Sequence, residues 1–312
     1  MQETFSKLNQ THLDTLREQG VLVLPDFISE QTISLIKKDT SPWLEKVGFN
    51  NRISSLIIGN NQWIEHVGMC SLTALKLALD ENLIKFLEDY FETSVALGSF
   101  SLQRKIFPEK GIRLHSDRGG GLSVFLYLTN PSEKTGVTEF VKTSHTTEIK
   151  ESYLLKNAID DAAYIDIEKS PLKSKPFKTT IGNKGTLVMF HRGIWHQLPK
   201  FKAPGREILM MQYFQKDSPA KDHLVKNSFL QSLSKRQSEV YLSNCSSSSL
   251  PSLVELGSDS KAMGVYKIPA WKMFVYVLRY KLISKVQGSI LQIPGSIPGR
   301  LTSVSSIINE GL

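Results

Sequence analysis

Cysteine is scarce: only Cys70 and Cys245 occur in 312 residues. Two thiols cannot form the disulfide framework of a small secreted scaffold, and they suit a reducing compartment. Long apolar runs are also missing. No stretch approaches the roughly 18 uninterrupted apolar residues of a spanning helix. The opening residues Met1 to Lys7 are polar and lack the apolar core of a signal peptide. Together these absences lead us to expect a soluble protein of the cytoplasm. No internal repeat is visible, which sets aside solenoids and arrays. What remains is ordinary globular composition, with 40% hydrophobic and 22% charged residues. At this length the chain can bury a full core and carry an extension.

Hydrophobic spacing divides the chain into three stretches. Residues 10–20 read as a helix with Leu13 and Leu16 on one side, ended by Gly20. Val21-Leu22-Val23-Leu24 reads as a buried strand stopped by Pro25. Ser29 is placed to cap a second helix that carries Ile33 and Ile36. Leu75, Leu79, Leu83, Leu87 and Phe91 form a helical stripe from Leu72 to Phe91, with a break near Asp80. From Val95 the pattern changes to short strands at 95–107, 112–116, 122–129, 137–141, 163–167, 185–190 and 207–214. Short strands between Gly, Pro, Asn and Ser clusters suggest a barrel or a double-sheet jelly roll. The connection from Tyr153 to Pro176 is charged and reads as an exposed loop of the kind that acts as a lid.

After Gln215 the character shifts again, so the expected division is 1–216 and 217–312. Ser243 to Ser249 is a low-complexity hinge. Pro269 to Val286 looks helical, with Trp271, Val275, Leu278, Leu282 and Val286 on one stripe. The net charge is +8, and from Gly257 onward seven basic residues face two acidic ones. A basic segment beside apolar residues suits an anionic partner or a membrane surface rather than nucleic acid. The rival reading is that the stripe packs on its own domain.

His115 and Asp117 lie one residue apart in Arg113-Leu114-His115-Ser116-Asp117, and His196 follows in Gly193-Ile194-Trp195-His196-Gln197. Residues i and i+2 of a strand project to one face, so a single strand can offer two ligands. Two imidazoles and a carboxylate are the facial ligand set of non-haem iron(II), which leaves three positions open. His196 is expected to come from a strand across the barrel. Arg206, ten residues beyond it, offers a permanently charged fork for a carboxylate. His191 competes with His196 for the third position.

Four segments in this order resemble the phytanoyl-CoA dioxygenase family of Fe(II)/2-oxoglutarate oxygenases. They are Leu16 to Phe27, the pair at 113–117, Thr135 to His145, and Gly185 to His191 leading into His196 and Arg206. They span about residues 10–215. Lys142-Thr143 stands where the family has Pro-Gly, and Leu198 where a small hydroxyl residue is common. The resemblance implies a double-stranded β-helix, a distorted jelly roll flanked by helices. It implies His115, Asp117 and His196 as iron ligands and Arg206 as the anchor of the 2-oxoglutarate cosubstrate, with O2 as second cosubstrate. His191 then has a supporting role. Gln103 and Lys105, on one strand face, are further candidates to reach 2-oxoglutarate, and Phe125 is either a pocket wall or core. His145 reads as a loop cap. The expected reaction is hydroxylation of an unactivated C–H of a small-molecule or carrier-linked substrate, with release of succinate and CO2. The carboxylate Asp117 argues against halogenation. A non-catalytic scaffold on the same barrel is the competing class.

Overall fold

The computed structural model describes residues 5–47, 55–58, 60–108, 111–117, 120–155, 162–216 and 225–242, with the helical residues Val275, Leu278 and Leu282. Two compact units are present, Met1–Lys267 and Ile268–Leu312. The Ser-rich hinge lies outside the described residues, and so does the C-terminal helix except for Val275, Leu278 and Leu282, which are exposed. Among the described residues no helix is long and apolar enough to cross a membrane.

Helix α1 (Gln10–Gln19) is capped by Asn9, whose side chain accepts the His12 N–H. It ends at Gly20, whose φ of 75° is the left-handed conformation that glycine adopts freely. Strand β1 (Val21–Leu24) follows, then α2 (Glu30–Glu45), capped by Ser29 through the Thr32 N–H. A hairpin of β2 (Leu56–Ile58) and β3 (Asn61–Ile64) comes next. The long leucine stripe is two helices, α3 (Leu72–Ala78) and α4 (Glu81–Phe91). Asp80 divides them because its carboxylate accepts the Asn82 and Leu83 N–H groups, starting a new helix.

The strands that follow are β4 (Val95–Lys105), β5 (Ile112–Asp117), β6 (Leu122–Tyr127), β7 (Glu139–Val141), β8 (Ala162–Tyr164), β9 (Phe177–Thr179), β10 (Leu187–His191), β11 (His196–Leu198) and β12 (Glu207–Gln215). They form two sheets, one ordered β1-β10-β6-β12-β4-β3-β2 and the other β8-β5-β11-β7-β9. Every named pairing is antiparallel. Such a sheet pair with crossing connections is a jelly roll, here the double-stranded β-helix flanked by helices.

Period-two alternation sorts the side chains of the large sheet. Leu209, Met211 and Tyr213 of β12, Leu122, Val124 and Leu126 of β6, and Leu187 and Met189 of β10 join the helices in one core. Their neighbours Ile208, Met210, Phe125, Tyr127, Val188 and Phe190 point the other way, into a second core with Phe140 of the small sheet. This inter-sheet face is where side chains of β6, β10 and β12 meet Phe140 of β7 and, through Phe190, His196 of β11. Tyr213 is fully buried in the helical core and donates its hydroxyl to the Ala78 carbonyl at 2.6 Å.

Three features depart from the sequence reading. The connection from Tyr153 to Pro176 is not simply an exposed loop, because Leu172 and Ile165 are buried with Leu114, Val141 and Trp195. The strand expected at 163–167 within it is β8 (Ala162–Tyr164), which pairs with β5 and forms the edge of the small sheet. Helices α5 (Asn227–Leu230) and α6 (Lys235–Leu242) continue the first unit past residue 216, with Val240 and Tyr241 buried in the helical core. Strands β2, β3, β9 and β11 have only three or four residues each, too few to show alternation.

Gly185 fixes how the N-terminal strand meets the barrel. Its φ is 89°, its carbonyl accepts the Phe27 and Ile28 N–H groups, and its own N–H donates to Tyr127. An added Cβ would overlap the Ile28 carbonyl oxygen. Gly185→Ala is therefore expected to cost ~1–3 kcal/mol through backbone strain, read as a lower denaturation midpoint. An unchanged midpoint would mean that the turn can relax.

Candidate metal centre

His115 sits on β5 directly opposite His196 on β11, and the two strands are paired neighbours in one sheet. This corrects the expectation that His196 arrives from a strand across the barrel. Antiparallel pairing brings facing residues within about 4.5–5.5 Å, and the two imidazole rings stand 4.2 Å apart between centroids. Asp117 follows two residues after His115 and shares its face. One ligating atom from each of His115, Asp117 and His196 can be chosen so that all lie within 4.8 Å of one another.

Both histidines have fixed tautomers. His115 Nδ1–H donates to the Arg113 carbonyl at 2.8 Å, and His196 Nδ1–H donates to the Ile194 carbonyl at 3.0 Å. A carbonyl only accepts, so each Nδ1 carries a proton, and in the neutral ring Nε2 is the nitrogen left with a lone pair. Metal-bound imidazoles usually donate their second N–H to a carbonyl or carboxylate in this way. Burial, and then the neighbouring His196, push the His115 pKa down to about 4. The ring is therefore neutral near pH 7, as a ligand must be. Two imidazole nitrogens and one carboxylate, without a thiolate, suit a divalent metal of intermediate hardness and fit iron(II).

Neighbouring side chains hold these rings in place. Phe140 stacks on His196 at 5.7 Å and Phe190 leans on it at 5.4 Å. Tyr164 of β8 stacks on the other ring, His115, at 5.5 Å. Ser144 accepts the Trp195 N–H at 2.9 Å, which fixes the entry to β11 one residue before His196. Its neighbour His145 bonds the Arg17 carbonyl through Nε2 at 3.1 Å, a contact that ties the loop to α1. None of Tyr164, Ser144 and Trp195 stood out as site residues in the sequence; their strands and loops were visible, but their pairing was not.

His191 ends β10, in the other sheet, and is not in the three-residue cluster. Its Nδ1 accepts the Gly193 N–H at 2.9 Å, and its ring lies 5.4 Å from His145. Burial, with a smaller effect of His145, lowers its pKa. It lines a cavity of about 360 Å³ with Arg17, Tyr90, Phe91 and Gln215.

Of the proposed cosubstrate residues, Arg206 is 5% exposed and Lys105 1% exposed, so two cations are buried side by side. The Lys105 N–H donates to the Arg206 carbonyl at 2.8 Å, which aligns the end of β4 with the start of β12. Gln103 pairs with Ile208, which places Gln103 and Lys105 on the inter-sheet face. Phe125 packs edge-on against Phe190 at 4.8 Å, so it reaches His196 through one ring. On the opposite side of the sheet, Glu207 is buried and pairs with Arg104 at 2.6 Å and with Lys37 at 3.2 Å. That anchors β12 one residue after Arg206.

No protein-family model matches the sequence, and no curated protein matches it. Solved structures do share the fold. The epimerase SnoN, in complex with Fe3+, alpha ketoglutarate and nogalamycin RO, aligns over 68% of this chain and 86% of its own, with a TM-score of 0.56 and 13% identity. The non-heme alpha ketoglutarate dependent carbocyclase SnoK from nogalamycin biosynthesis aligns over 74% and 92%, with a TM-score of 0.56 and 17% identity. HygX from Streptomyces hygroscopicus, with nickel, 2-oxoglutarate and hygromycin B bound, aligns over 70% and 91%, with a TM-score of 0.53 and 13% identity. At these identities the likeness is one of fold.

Proposed function

We propose that this chain is an Fe(II)- and 2-oxoglutarate-dependent oxygenase, similar to the phytanoyl-CoA dioxygenase family. The observation that carries this reading is the convergence of His115, Asp117 and His196, with both Nδ1 atoms pinned to carbonyls. His115, Asp117 and His196 would hold the metal. Bound iron(II) supplies the electrons that let oxygen attack a C–H bond while 2-oxoglutarate is converted to succinate and CO2. The protein's own task is to position groups and exclude water. Arg206 would grip the far carboxylate of 2-oxoglutarate, and the adjacent buried Lys105 adds a second positive charge at the same end. Gln103 and Phe125 would complete that wall.

Hydroxylation of a small-molecule or carrier-linked substrate is the reaction we favour; the carboxylate of Asp117 argues against halogenation, though not against epimerisation, desaturation or ring formation. The names of the structural neighbours add epimerisation and carbocycle formation to the chemistry housed by this fold. The test is turnover of 2-oxoglutarate by the purified full chain, with and without iron(II) and air. Succinate formed only when both are present supports the oxygenase. A chain that takes up iron and forms no succinate over a broad set of candidate substrates would be a scaffold.

A further inference from the structure

Arg192 lies four residues before His196 and was not singled out by any motif. Its position is clamped from three sides. Its backbone N–H donates to the Gly121 carbonyl at 3.1 Å, its Nη1 donates to Gln212 Oε1 at 3.4 Å, and its guanidinium lies 5.2 Å above the Phe214 ring. Gln212 and Phe214 flank a register shift in the β12–β4 pairing, which falls between Gln212 and Tyr213. Bulges of this kind occur near active sites, where they re-aim side chains. The clamp aims Nε at Asp117: the distance to Oδ2 is 3.9 Å. Nε is buried, and among the described residues it has no hydrogen-bond acceptor. A buried N–H without an acceptor calls for an explanation. The nearby carboxylate oxygen supplies one, since a shift of about 1 Å would close the pair to hydrogen-bond length.

We propose that Arg192 is a positioning residue that holds one oxygen of Asp117, so that this carboxylate ligates the metal through the other oxygen alone. The proposal rests on the oxygenase reading above. Carboxylates bind cations through one oxygen or both. A facial triad leaves three positions open, and a chelating 2-oxo acid with oxygen needs all three. An Asp117 that chelated would take one of them. A fixed, always-charged guanidinium on Oδ2 prevents that.

The experiment uses the full chain, Co(II) as the metal probe, and two dicarboxylates. 2-Oxoglutarate chelates metal; glutarate has the same far carboxylate and no keto group. In Arg192→Met we expect Co(II) to bind at least as tightly as in wild type, because a released carboxylate can chelate. We expect 2-oxoglutarate to bind the Co(II) protein ~10-fold more weakly, within the range known for outer-shell changes, and glutarate to bind unchanged. Arg192→Lys, which keeps the charge, should recover part of the loss. Gln212→Met frees the clamp but leaves the guanidinium, so it should show the same split at smaller amplitude and covers the case of a misfolded Arg192→Met. Unchanged 2-oxoglutarate affinity in folded variants overturns the proposal. Parallel losses of Co(II), 2-oxoglutarate and glutarate overturn it too, since they mark a packing residue. A wild-type chain that binds neither Co(II) nor 2-oxoglutarate removes the oxygenase reading itself.

Discussion

His196→Ala is expected to abolish stable iron binding and all 2-oxoglutarate turnover, while His191→Ala keeps its metal. The reason is positional. His196 Nε2 faces His115 across one strand pair, whereas His191 belongs to the other sheet and uses Nδ1 to accept the Gly193 N–H. Changes to groups that merely support a ligand cost about 10–100-fold in metal affinity. Loss of one of only three protein ligands should exceed ~100-fold on that scale. His115→Ala should behave in the same way. His196 also packs against Phe140 and Phe190, so each variant needs a thermal melt beside its metal analysis. Folded His196→Ala that retains iron, with folded His191→Ala that loses it, would sink the assignment.

The second large effect is expected at Arg206. Arg206→Ala should weaken 2-oxoglutarate by ~2–5 kcal/mol, the usual loss when one partner of a desolvated charge pair is removed. A tenfold change corresponds to about 1.4 kcal/mol, so half-saturation should rise by ~30-fold or more. Lys105 stays beside the vacated position and should keep the loss toward the lower end. Iron affinity should hardly move, because Arg206 is not among the three ligands. Arg206→Lys should recover only part of the affinity, because a point charge cannot reproduce the planar fork. Succinate formation titrated against 2-oxoglutarate reads the result; an unchanged half-saturation would assign the carboxylate to another residue.

What the sequence could and could not say follows from the range of each interaction. Local signals were legible. His115 and Asp117 are two residues apart on a strand, so their common face needs no tertiary knowledge. Asp80 broke the leucine stripe because an N-cap carboxylate acts within three residues. Register between strands is a different matter. β11 holds only His196 to Leu198, too short for alternation, and nothing local says that it pairs with β5. Hence a ligand expected across the barrel is a next-door neighbour. Arg192 meets Asp117 through a similarly distant contact, 75 positions away in sequence by its number. The segment before Pro176 looked exposed because Asp160, Asp161, Asp166, Glu168 and Lys169 cluster in it, yet its apolar Ile165 and Leu172 are buried.

Anaerobic addition of 2-oxoglutarate to the iron(II)-loaded full chain tests the central claim most directly. Chelation of the 2-oxo acid at a facial triad gives a weak visible charge-transfer absorption. The assignment of His115, Asp117 and His196 predicts that this absorption appears in wild type, persists in His191→Ala and is absent in His196→Ala. A wild-type chain that holds iron yet shows no absorption, or a folded His196→Ala that shows it undiminished, would contradict the assignment.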